Sequence, residues 1–137
     1  MRTTTRGLYA LKAILTLAEE ADQFNPIPVH ELAAREQISP EFLQQIFYRM
    51  RKSGFVAATR GPGGGFYLVR SPDSITVYDI LEAAGEPLEI TPCARDRETR
   101  KPCPQFVDCK AGRFWNDMEQ VLARYARSRT LADIMKS

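Results

Sequence analysis

Three cysteines carry the most reactive chemistry in this chain of 137 residues: Cys93, Cys103 and Cys109, with nine residues between the first two and five between the last two. They fall in residues 86–110, a stretch with four prolines, ten charged residues and little periodicity, which reads as a loop without a core of its own. Thiolates converging from a loop can hold iron or zinc, because the chain can fold around a metal without satisfying a helix or strand register. Three thiolates do not complete a four-ligand site. Asp108, Asp96, Glu98 or Glu89 could supply an oxygen, or the fourth position could be open or filled from a second subunit. Unligated thiols, or thiols that switch by reversible disulfide formation, are the competing readings. The single histidine, His30, has no neighbour that specifies it as a ligand and is expected to face solvent.

A second set of residues points to a polyanion. From Phe42 to Pro72 there is no acidic residue, while Arg49, Arg51, Lys52, Arg60 and Arg70 are all present. Within it, Phe42, Leu43, Ile46, Phe47 and Met50 recur at helical spacing behind Ser39 and Pro40, a good cap and first-turn pair, and are expected to dock inward. That periodicity leaves Glu41, Gln44, Gln45, Tyr48 and Arg49 facing outward, and Gln and Arg are side chains that read base edges. The cluster Gly61-Pro62-Gly63-Gly64-Gly65 follows, flanked by residues that favour strands, and reads as the tip of a hairpin. It lacks the Gly-Lys-Ser/Thr ending of a nucleotide loop and no helix follows it, so nucleotide binding is the weaker reading. A hairpin tip with no ligand is the plainer alternative. Arg60, at the base of the tip, favours DNA because a guanidinium can enter a narrow minor groove.

The positioning elements follow from periodicity. A core helix is expected from Thr4 to about Ala21, then a loop from Asp22 to Pro28, and a short helix from Val29 to Gln37. The helix behind Ser39 comes after a turn of helix-turn-helix length. A helix and a basic hairpin together make a winged helix-turn-helix, with the helix in the major groove and the hairpin against backbone or minor groove. A further helix is expected over Ile75 to Ala84, ended by Gly85. Phe114, Trp115, Met118, Val121, Leu122 and Tyr125 mark a long helix whose apolar face is too broad for solvent, and Thr130 is expected to cap a terminal helix. That face could fold back on its own winged domain or pack on the same helix of a second copy; the second arrangement is favoured because it gives a twofold reader of DNA.

Composition bounds the rest. The chain is 44% hydrophobic and 26% charged, which describes a folded protein, and its net charge of +2 places any nucleic-acid contact in local patches. Arg2 and Arg6 precede an amphipathic segment and no apolar run reaches membrane-spanning length, so a cytoplasmic protein without membrane contact is expected. No Ser/His/Asp or Cys/His set and no marked carboxylate pair suggests an enzyme.

The chain resembles the Rrf-type winged helix-turn-helix transcription regulators, a family that includes iron-sulfur cluster regulators and nitric-oxide-sensing repressors. The carriers are the opening MRTTTRGLYALKAI, the segment ELAAREQISPEFLQQIFYRMRKSGFV, the wing RGPGGGFYL, the helix ITVYDILEA, three cysteines before a Trp, and the terminal TLADI. The resemblance implies a mainly α fold with a small β-hairpin wing and a long C-terminal dimerisation helix. It also implies a homodimer on a pseudo-palindromic double-stranded operator, acting most often as a repressor. An iron-sulfur cluster, 2Fe–2S or 4Fe–4S, is implied at Cys93, Cys103 and Cys109, sensing iron-sulfur status, redox state or nitric oxide. By position, Arg60 resembles the wing arginine that enters the minor groove; further DNA contacts are expected at Ser39, Glu41, Phe42, Gln44, Gln45 and Arg49 on the helix and at Gly61, Gly63 and Gly64 in the wing. The expected division is residues 1–84 for the DNA-binding domain with its supporting helix, 85–110 for the cysteine loop, and 111–137 for the dimerisation and terminal helices. Cluster-binding relatives take a fourth ligand from a histidine three residues after the last cysteine, or from an acid or histidine in the first helix. Here Gly112 stands in the first place and Met1 to Ala18 has no Asp, Glu or His, so the fourth ligand is unassigned.

Overall fold

A computed structural model of the chain describes residues 5–91, 93, 99 and 101–137. The first helix, α1, runs Thr5–Glu20 and buries Ala10, Ala13, Ile14 and Leu17, while Leu11, Leu15 and Ala18 are half-buried and Leu8 is exposed; Thr4, the expected first residue, lies outside the described residues. Helix α2, Val29–Glu36, stops one residue earlier than expected. Gln37 takes a left-handed conformation (φ 57°), and its N–H turns back to the carbonyls of Ala33 and Ala34. Helix α3, Pro40–Lys52, starts behind Ser39, whose side chain accepts from the Phe42 N–H, and buries Leu43, Ile46, Phe47 and Met50. Each such fully buried large apolar side chain contributes about 1.5–3 kcal/mol relative to exposure.

Strands β1 (Val56–Thr59) and β2 (Gly65–Leu68) form the hairpin, antiparallel in the register Val56↔Leu68 to Thr59↔Gly65. The outer edge of β2 is also covered. Phe66 exchanges both backbone hydrogen bonds with Ile27, N to O at 2.8 and 3.0 Å, so the loop before α2 serves as a third line of the small sheet. Gly65 permits this approach: a Cβ there would lie 2.3 Å from the Ile27 carbonyl carbon.

A single 3-10 turn, Pro72–Ser74, precedes α4, which runs Val77–Ala83 rather than from Ile75. The reason is a capping box. Thr76 accepts from the Asp79 N–H at 3.0 Å while the Asp79 carboxylate accepts from the Thr76 N–H at 3.0 Å, leaving Ile75 extended and buried outside the helix. Gly85 ends the helix as expected, at φ 79°. Helix α5, Lys110–Ser128, begins earlier than the apolar residues indicate because Cys109 caps it. Helix α6, Leu131–Met135, carries the second capping box, Thr130 with Asp133. Its start is stitched to the start of α4 by Leu131 N–H to Ile75 O (2.8 Å) and Val77 N–H to Arg129 O (2.9 Å), which delivers Leu131 into the core of the winged half. The result is a mainly helical fold with a two-stranded wing and a long C-terminal helix. Among the described residues, no helix is long and apolar enough to cross a membrane.

Candidate functional site

Helix α3 presents Glu41, Gln44, Gln45, Tyr48 and Arg49 to solvent, and the last four line a shallow hollow of about 440 Å³. Ser39 is exposed but already engaged. Its hydroxyl caps the helix and donates to Glu41 Oε2 at 3.0 Å. A hydrogen bond from its own backbone N–H, and then the one from Ser39, hold the Glu41 carboxyl below the usual carboxylate range. An anionic acceptor thus stands at the start of the helix, where it suits a cytosine amino group and repels phosphate. Phe42 is half-buried and turned back, edge-on to Tyr9 of α1 with centroids 5.9 Å apart. Lys52 lies over the Tyr48 ring at 4.9 Å.

The wing tip holds Arg60, Gly61, Pro62 and Gly63 in solvent, with Gly61 and Gly63 at φ 90° and 76°, values that side chains rarely adopt. Gly64 is half-buried at the turn, its N–H donating to the Gly61 carbonyl at 2.9 Å. Wing and helix are joined by a stack of Phe66 on Phe47, so the two surfaces share one packed contact through the core.

The cysteine loop brings its members together by backbone. The Cys103 N–H donates to the Cys93 carbonyl at 2.8 Å. Cys109 is the N-cap of α5, its Sγ accepting from the Gly112 N–H at 3.3 Å. A Cβ built on Gly112 would lie 3.6 Å from Cys109 Sγ and 3.6 Å from Cys93 Cβ, so the bare first turn of α5 is where two of the three cysteines meet. Cys93 and Cys109 are half-buried and Cys103 is exposed. Among the described residues no three His, Cys, Asp or Glu side chains are drawn into a ready metal cage. As a donor set the loop nevertheless suits an iron-sulfur group: it offers three soft sulfur ligands, one of them accepting a hydrogen bond from an amide in the first turn of α5. Of the oxygen donors expected nearby, Asp96 and Glu98 lie outside the described residues. Glu89 lines a cleft of about 250 Å³ between α4 and α5, and Asp108 is exposed beside Cys109. His30 is exposed on α2, remote in sequence from the loop.

The apolar face of α5 is open. Phe114, Trp115, Met118, Val121 and Tyr125 are between 39% and 62% exposed, while the small Gly112, Ala123 and Ala126 face inward. Beside it Leu11, Val77, Leu81, Leu88, Leu122 and Ile134 line an apolar groove of about 340 Å³. Sequence reading overlooked two features of the site: the capping role of Cys109, which its place just before the helix could have signalled, and the seat of Arg49 on Gly85, which no local pattern marks.

A family model described as Rrf2, iron-dependent transcriptional regulator, matches residues 3–137. The chain is similar to the HTH-type transcriptional regulator IscR of Erwinia tasmaniensis, 32% identical over 137 residues, which cover all of this chain and 80% of that protein. It is equally similar to IscR of Vibrio campbellii, 32% identical over 136 residues, covering 99% and 78%. Among solved structures, T. potens IscR matches with a TM-score of 0.74 at 26% identity, over 99% of this chain and 87% of that one. CymR, the global cysteine regulator of B. subtilis, matches with a TM-score of 0.75 at 24% identity, over 99% and 97%, a likeness of fold.

Proposed function

The chain belongs to the Rrf2 family of transcriptional regulators, which are DNA-binding proteins and not enzymes, and on that premise we propose that it is a cytoplasmic homodimeric repressor controlled through its cysteine loop. One observation carries the reading: a helix and wing joined by Phe47 and Phe66 stand in the same chain as a loop that brings Cys93 and Cys109 together at the N-terminus of α5 and ties Cys103 to Cys93 through a backbone hydrogen bond. Residues 1–84 read DNA, 85–110 form the sensing loop, and 111–137 supply the dimer helix with the terminal helix that ties it back.

In this reading Glu41, Gln44 and Gln45 face base edges, Ser39 and Phe42 set the angle at which α3 enters the major groove, and Arg49 borders that face. Arg60 enters the minor groove, and Gly61, Gly63 and Gly64 let the wing backbone approach phosphate. The exposed stripe of α5 packs on its copy, placing two α3 helices on the halves of a pseudo-palindrome. Cys93, Cys103 and Cys109 would hold an iron-sulfur cluster of 2Fe–2S or 4Fe–4S type. Bound there, the cluster would supply one-electron redox chemistry and reactivity toward nitric oxide. Residues 86–110 are the only covalent path from α4 to α5, so a change in how the three thiols are held alters the link between the reading half and the dimer helix. Specific contacts over non-specific binding total roughly 4–10 kcal/mol, enough for a few ångströms of lost register to release the operator.

A second reading has its own support. Cys103 is exposed and hydrogen-bonded through its backbone to Cys93, a placement that suits direct thiol and disulfide switching without a cluster, or with structural zinc.

Anaerobically purified protein decides between them. Visible absorbance with matching iron and acid-labile sulfide, and a difference in operator affinity between loaded and stripped protein, are expected. A protein that stays colourless after anaerobic reconstitution removes the cluster and leaves thiol switching; equal affinity in both states removes control by the loop.

A further inference from the structure

Arg49 extends from the outward face of α3, and among the described residues no carboxylate pairs with it. Its side chain instead lies along Gly85. A Cβ built on Gly85 would be 2.8 Å from Nη1, 3.1 Å from Cζ and 3.4 Å from Cδ, so the guanidinium and its stem cross the glycine where any other residue would place its side chain. Gly85 is the left-handed residue that ends α4. Its N–H donates to Glu82 O at 3.1 Å and the next N–H, of Glu86, to Leu81 O at 2.8 Å, a closed C-terminal cap.

The other side of this cap is seated on α1. Leu81 Cδ2 and Glu86 Cγ lie 2.9 and 3.2 Å from where Gly7 would carry a Cβ, and Gly7 is buried. Two glycines therefore hold the end of α4 between α1 and the Arg49 side chain of α3. Residues 85 and 86 are also where the chain leaves α4 for the cysteine loop. The exit of the loop and the outward face of α3 thus share one contact, made by a planar guanidinium on bare backbone.

We propose that Arg49 is a positioning residue: seated on Gly85, it sets α3 against the exit of the cysteine loop and carries changes in that loop to the DNA-reading face. This rests on the DNA-reading role given to α3 above. The route is shorter than one through α5 and the dimer, because it runs from Glu86 to α3 across a single van der Waals contact. It also differs from a phosphate contact in a measurable way. An arginine that neutralises a phosphate contributes about one unit to the salt slope of binding, whereas a positioning arginine contributes none.

The test is a double-mutant cycle of Arg49→Gln and Gly85→Asn. Asn tolerates the left-handed backbone, and its Cβ displaces the guanidinium. The DNA probe is a duplex enriched from randomised double-stranded DNA on the wild-type protein. Each variant is expected to weaken binding about fivefold, a coupling of ordinary size, with the double variant no weaker than either single and the salt slope unchanged. If Arg49 and the loop are coupled, losing the contact changes how the loop is held, so the rate at which iodoacetamide alkylates Cys103 should differ measurably between Arg49→Gln and the wild type, without DNA present. Wild-type alkylation rates together with a salt slope lowered by about one in Arg49→Gln would overturn the proposal and make Arg49 a phosphate contact. Should Gly85→Asn fail to fold, Arg49→Gln carries both readouts, since the residue is exposed. If the wild type enriches no sequence, the DNA-reading role of α3 fails, and the alkylation rates still decide whether Arg49 and the loop are coupled.

Discussion

Phe47 of α3 stacks on Phe66 of β2 with ring centroids 5.0 Å apart and planes inclined by 30°. Phe47 is completely buried and Phe66 half-buried, so the pair joins the outward-facing helix to the wing through the core. Phe66→Ala is expected to destabilise the protein by about 2–3 kcal/mol, below the roughly 3–5 kcal/mol of a fully buried aromatic truncation because the ring is only partly enclosed. Urea unfolding measures the loss. Phe66→Leu should recover most of it, and equal stability of Phe66→Ala and wild type would show that helix and wing are not mechanically joined.

Arg60 is exposed beside the glycine tip and has no structural partner among the described residues that its removal would orphan. Arg60→Ala should leave the unfolding midpoint within error while weakening binding to an enriched duplex about tenfold and lowering the salt slope by about one. Unchanged binding and slope would take the wing off the DNA.

The cysteines separate ligation from capping. Cys103→Ser, at an exposed position, should abolish visible absorbance and leave the dimer and its helical dichroism intact. Cys109→Ser should also lose the absorbance while keeping a cap on α5, since a serine oxygen accepts an N–H at least as well as sulfur; Cys109→Ala should lose both, at a cost of about 1 kcal/mol. Unfolding of Cys103→Ser would point to structural zinc instead.

Val121 and Tyr125 lie on the open stripe of α5, 53% and 62% exposed. Val121→Glu with Tyr125→Glu should convert a dimer to a monomer in sedimentation velocity without loss of fold, because neither side chain is needed by the core and paired like charges across a twofold axis repel. A double variant that remains dimeric would move the interface off α5.

Acid should loosen the C-terminal helix. The Asp133 carboxyl is held below its usual value first by the Thr130 N–H and then by the Thr130 hydroxyl. A depressed folded-state pKa means that this stabilisation is complete above the ordinary carboxylate value and is lost as pH falls through the lower, folded one. Unfolding midpoints measured from pH 7 down to about 3 should therefore fall less steeply in Asp133→Asn than in the wild type. Parallel pH profiles would show that the capping box does not contribute to holding α6.

Most of the helical framework was legible in the chain itself. The apolar spacing of Leu43, Ile46, Phe47 and Met50, the Ser39-Pro40 start and the Thr130 cap are local features, acting over one helical turn, and each appears where expected. The start of α4 was legible too but misread: Thr76 and Asp79 spell a capping box, while the apolar Ile75 suggested an earlier start. Likewise the cap at Cys109 was hidden by a thiol that also reads as a ligand.

By itself the sequence determined which faces are apolar, where caps and left-handed turns fall, and that three thiols share one loop, because these depend on residues a few positions apart. Tertiary structure alone decided that Ile27 completes the wing, that Cys93 and Cys109 meet over Gly112, and that Arg49 lies on Gly85. Those contacts join residues far apart in the chain. They form only where another segment, backbone at Gly65 and side chains at Gly85 and Gly112, comes close enough to a glycine for its missing Cβ to matter, a distance set by the packing of the whole core and by no local pattern.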